Sequence, residues 1–141
     1  MQQSGPVMVV EYPRVHFGEM VDDVEMEQRQ AFVHEALLHV EAGIDPRSIG
    51  AAVTIALCGH YEHEGVCRWP HNNDICTATS PARFRTLFVS AARDEPDVRE
   101  RITRALSQVP GISLTASFPR PVTESEYTLA ARLLRVNRRG S

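Results

Sequence analysis

The chain contains no lysine; all fifteen of its basic residues are arginine. That absence excludes a lysine Schiff base, a lysine general base and the lysine of a phosphate loop. Codon bias accounts for it, since alanine, arginine and valine are abundant, and avoidance of lysine-directed modification is the alternative. Nor does any window approach the roughly 20 consecutive apolar residues that a membrane-spanning helix requires. The start, Met1-Gln-Gln-Ser-Gly-Pro6, lacks the basic and then apolar regions of a secretory signal, so a cytoplasmic location is the default expectation. There is no basic excess either: the formal net charge is −3, which disfavours sequence-independent binding to nucleic acid. A glycine-rich phosphate loop, a G-x-S-x-G elbow and paired carboxylates at diagnostic spacing are all missing. Three cysteines, an odd number, argue against a disulfide framework and leave reduced thiols, metal ligands or core cysteines.

What is present suits an ordinary folded protein. A chain of 141 residues, 43% hydrophobic and 23% charged, is long enough to bury a core as a single domain. Val7–Tyr12 is a β-branched run closed by Pro13 and reads as a strand. Val33, Ala36, Leu37, Val40 and Ile44 recur at steps of three and four behind Asp22, Asp23 and Glu25 and ahead of Gly43, which predicts an amphipathic helix over 22–42. Val53, Ile55 and Leu57 alternate with smaller residues and predict a strand over 51–57, with a short apolar helix from Arg47 as the competing reading. Further strands are expected at 84–90 and 112–118. Helices are expected at 95–108, with Pro96 in the first turn, and at 124–135, with a frayed tail after it.

Strand, helix, strand, strand, helix, strand and a terminal helix resembles the ferredoxin-like, or split βαβ, plan: an α+β fold with an antiparallel sheet and helices on one face. On that plan Val53, Ile55, Leu57, Leu87, Val89, Ile112 and Leu114 face the helices. Residues 59–82 then form an insertion between the second and third strands, far longer than a hairpin loop. The plan hosts many functions and implies none.

That insertion concentrates the chemistry of the chain. Cys58-Gly-His-Tyr-Glu-His-Glu-Gly-Val-Cys-Arg-Trp-Pro-His71, followed by Cys76, holds every cysteine, half of the six histidines and the only tryptophan. Cys58 and His60, two apart on an extended chain, project to one side, and Cys67 and His71 can return to the same point on a turn. Thiolate and imidazole are the ligands zinc prefers, so Cys58, His60, Cys67 and His71 form the expected zinc site, with His63 or Cys76 as substitutes. The spacing lacks the paired C-x2-4-C knuckles of fingers and ribbons, and the role expected is structural or regulatory. Two other readings stand beside it. One is an enzyme using metal-bound water or a cysteine, either Cys67 beside Arg68 or Cys58 with His60. The other is a metal-free ligand-binding or interaction module, with solvated histidines, a buried Cys58 and Trp69-Pro70 as an apolar lid.

Two weaker patterns complete the reading. His34-Glu-Ala-Leu-Leu-His39 is one residue longer than H-E-x-x-H, and on a helix its histidines lie about 140° apart, so it is no metalloprotease motif. Arg83, Phe84, Arg85 and Phe88 resemble the residues by which some sheets stack RNA bases, but the accompanying glycine pattern is missing. An open sheet face bearing Phe84 and Phe88 calls instead for a cover, either a second copy of the chain in a homodimer or the last helix.

Overall fold

A computed structural model describes residues 28–58 and 68–136. In chain order they form β1 (Arg29–Val40), α1 (Arg47–Cys58), β2 (His71–Cys76), β3 (Ala82–Ala91), α2 (Glu95–Ser107), β4 (Ile112–Arg120) and α3 (Tyr127–Leu134), with short 3-10 turns at Ala92–Asp94 and Glu124–Glu126. The four strands make one antiparallel sheet in the order β2-β3-β1-β4. It is an α+β fold, and β3, α2, β4 and α3 lie where the sequence places them.

The first half corrects the sequence reading. Residues 29–40, expected inside a helix over 22–42, are the central strand β1, paired with β3 on one side and β4 on the other. A strand covered on both faces has no polar side, so period-two alternation disappears and buried residues follow one another. Val33 through Ala36 are consecutively buried. Gly43 does take a positive φ of 89°, but in the turn after a strand. Residues 51–57, expected as a strand, belong to α1, as the competing reading had it. Ile49, Val53 and Leu57 recur every fourth residue and are its buried stripe, while Ile55 is 49% exposed. Asp45 starts this helix by accepting the backbone N–H of Arg47 at 3.0 Å.

Consequently the Cys/His segment does not separate two strands. It leads from α1 into β2, while β2 and β3 are joined by the short stretch Thr77–Pro81. The strand expected at 7–12 and the acidic start of the expected helix lie outside the described residues.

Helices cover both sides of the sheet, not one. Toward α1 and α2 point Ala36, Leu38, Phe84 and Phe88, closed by Ile49, Val53, Leu57, Val98, Ile102 and Leu106. Toward α3 point Val33 and Leu87, packed on Ala130, Leu129 and Leu133. The expected orientation of β3 is therefore inverted: Phe84 and Phe88, 1% and 0% exposed, sit in the main core, and Leu87 lies on the opposite face. A homodimer through Phe84 and Phe88 has no surface to use. Ile112 and Leu114 do pack against the main core as expected.

Two local features fix the far end of the sheet. The β1–β4 register shifts between Leu37 and Leu38, where Thr115 of β4 has no partner. At Gly111, φ is 81°, a backbone conformation that favours glycine, and an added Cβ would press on the Ile44 side chain.

Candidate functional site

Of the expected zinc set the structure describes Cys58 and His71. Cys58 ends α1 and is disulfide-bonded. Among the described residues the free thiol is Cys76, exposed at the far end of β2. His71 opens β2, with both ring nitrogens engaged. Its Nδ1–H donates to the Trp69 carbonyl at 3.0 Å, leaving Nε2 to accept from the Thr54 hydroxyl at 3.1 Å. The network continues through Asn73, which donates to Gly50 O at 3.1 Å and accepts from Thr86 Oγ1 at 2.7 Å. His71 and Asn73 thus pin α1 to the edge of the sheet. Among the described residues no three His, Cys, Asp or Glu side chains are grouped to hold an ion. His60, His63 and Cys67 lie outside those residues. Zinc on Cys58, His60, Cys67 and His71 would require a reduced Cys58 and a His71 Nε2 released from Thr54.

Trp69 belongs to the main core. It is almost fully buried, and the guanidinium carbons of Arg68 and Arg101 lie 4.6 and 5.1 Å from its ring centroid.

His34 sits between the sheet and α2 with Ser117 and Thr103. Arg99 Nη1 donates to His34 Nδ1 at 3.0 Å, so the ring proton is on Nε2, which donates to Ser117 Oγ at 2.6 Å; Ser117 and Thr103 are 2.8 Å apart. A base that activates a serine must offer it a lone pair, and this tautomer offers a proton instead. Burial, and then the charge of Arg99, pull the His34 pKa down to about 4. The trio is a neutral polar bridge.

The densest charge cluster lies on the face toward α3. Glu35 of β1, its side chain 6% exposed, accepts from Arg83 Nε at 3.0 Å and from Arg120 Nε. Arg120 also forks onto both oxygens of Glu126 at 3.0 and 2.9 Å, and Arg85 Nε stands 3.4 Å from Glu126 Oε2. Glu126 is held by a capping box, in which it accepts the backbone N–H of Thr123. Burial pushes the Glu35 carboxyl up, but the hydrogen bonds and charges of Arg120 and Arg83 outweigh it and hold the group below its ordinary range. Hydrogen bonding from Arg120 brings Glu126 down to about 2. Both are carboxylates at neutral pH.

Beside this network is a cavity of about 370 Å³, bounded by Asp74, Cys76, Arg83, Arg85 and Ser125. Arg83 gives only its Nε to a partner among the described residues, and its side chain is 57% exposed. Asp74 is a diagonal neighbour of Arg83 on the same sheet face, since Cys76 pairs with Arg83 and Asp74 with Arg85. The cavity therefore offers a guanidinium edge and a carboxylate side by side. The sequence reading missed this site, although Arg83 and Arg85 at i and i+2 and the Thr123-x-x-Glu126 capping pair were visible signals. The chain matches no family model, and no curated protein matches its sequence.

Proposed function

We propose that the chain is a ligand-binding module of ferredoxin-like plan, and that the cavity beside Arg83 takes a small zwitterion of the α-amino acid class. The fold assignment is supported by the element order βαββαβα together with the strand order β2-β3-β1-β4. The ligand assignment rests on one observation: Arg83, whose terminal nitrogens have no partner among the described residues, lines a cavity that Asp74 also lines. Arg83 is braced by Glu35, which fixes the guanidinium plane and leaves its outer edge for a carboxylate. Asp74 supplies the counter-charge for an ammonium group. Arg85 and Arg120 are committed to Glu126 and serve as the frame.

Titration of the ¹⁵N-labelled chain with a panel of amino acids tests the proposal. Saturable shifts are expected at Asp74, Cys76, Arg83 and Ser125, and Arg83→Ala should weaken binding at least roughly tenfold. Asp74→Asn should weaken binding of the amino acid but not of its deaminated carboxylate. Shifts that stay linear to millimolar ligand, or that fall elsewhere, would remove the assignment.

A further inference from the structure

Beyond Arg47, α1 has no charged residue, and its solvent side carries Ala52, Ala56 and the half-exposed Ile55. A helix apolar on both sides is normally covered on both. Between it and α2 runs an open groove of about 730 Å³, lined by those three residues and Ala105, with Arg101 and Arg104 along the α2 rim. Their ion pairs are with acids of their own helix, Asp97 at 3.2 Å for Arg101 and Glu100 at 2.8 Å for Arg104, and Arg101 also donates to Ala56 O at 3.3 Å. Such exposed i, i+4 pairs are worth little and yield readily to an incoming carboxylate.

The charge of the chain is divided in a way that names an occupant. The described residues carry twelve arginines against ten acids, a net +2, whereas residues 1–27 carry six acids and one arginine, a net −5. Those 27 residues are also rich in apolar side chains, and Met20-Val-Asp-Asp-Val-Glu-Met-Glu27 interleaves the two kinds. β1 enters the sheet with Arg29 opposite Ala91, beside the start of α2. From there a 27-residue segment can reach up to about 90 Å, against roughly 20 Å for the length of α2.

We propose that residues 1–27 seat in the α1–α2 groove of the same chain, valine and methionine side chains over Ala52, Ile55 and Ala105, and carboxylates toward Arg101 and Arg104. Covalent attachment keeps the segment at an effective concentration near millimolar, so weak complementarity suffices.

A photoreactive benzoylphenylalanine placed at position 55 of the full chain tests this, with cross-links mapped by mass spectrometry. The expected product is a bridge from position 55 to residues 1–27 at monomer mass. Its yield should fall roughly threefold or more in the Arg101→Glu/Arg104→Glu variant and in high salt, as screened charge pairing requires. A bridge between two copies at dimer mass would assign the groove to self-association and overturn the proposal. Absence of any bridge to residues 1–27, in a protein whose circular dichroism matches the unsubstituted chain, would overturn it as well.

Discussion

Toward α1 and α2, β3 presents Phe84, Thr86 and Phe88, all fully enclosed, with Phe32 5.4 Å from Phe88 between ring centroids. Toward α3 the same strand presents Arg83 and Arg85 beside Leu87, under a helix of only eight residues. One face is closed by two long helices and fills its space with side chains. The other is closed at one end by Val33, Leu87 and Ala130 and at its other end by ion pairs. Close packing leaves the first face no room for a ligand, whereas ion pairs around a cavity leave the second partly open. The difference separates the packed face from the face on which the ligand site is proposed.

Truncation on the two faces breaks the comparison most directly. Phe88→Ala should destabilise the chain by about 4 kcal/mol, and Leu87→Ala by about 2 kcal/mol, because the short α3 can settle into the space left. Urea midpoints measure both, and an equal or larger loss at Leu87 would deny the asymmetry.

Acid should sharpen it. His34 has a folded pKa near 4 against an ordinary 6.5. Its contribution is complete above pH 6.5 and is lost as pH falls toward 4, because the unfolded chain takes up a proton that the folded chain refuses. The loss is on the order of 3 kcal/mol across that window, and His34→Gln should flatten it in thermal melts. Glu35 and Glu126 act later: their contribution is present above about 4.5 and fades as pH falls toward the Glu126 value near 2. Acid should thus loosen the α2 side before the α3 side.

The smallest effect is local. Glu126→Gln, which keeps the shape but removes the charge held by Arg120 and Arg85, should cost about 2 kcal/mol. Amide exchange should accelerate in α3 while α1 and α2 are little changed; uniform acceleration would mean that the two faces act as one unit.

The legible and illegible parts of the sequence divide along the same physical lines. α2 could be read because Val98, Ile102 and Leu106 form a single buried stripe with arginines outside it. β1 could not, because a strand buried on both faces shows spacings that also fit a helix. β2 could not, because His71, Asn72, Asn73 and Asp74 look like a loop until Asn73 finds its partners on α1 and β3. The Cys/His density drew attention to metal, while the Arg83–Glu35–Arg120–Glu126 network spans residues up to 91 positions apart and exists only once β1, β3 and β4 are side by side.

The unpaired Thr115 has a consequence for which face each end of β4 serves. Counted by twos from Ile112, the even-numbered residues of β4 would all look toward α1 and α2, Arg120 included. The extra residue slips the phase, so that Ile112 and Leu114 look one way and Ala116, Phe118 and Arg120 look the other. Were Thr115 paired in register instead of bulged out, Arg120 would turn to the opposite face and leave Glu35 and Glu126 without their shared partner, whereas deleting Thr115 would give a regular ladder with Arg120 still beside them. The bulge therefore holds the charged network together as much as the identity of the residue at the end of β4.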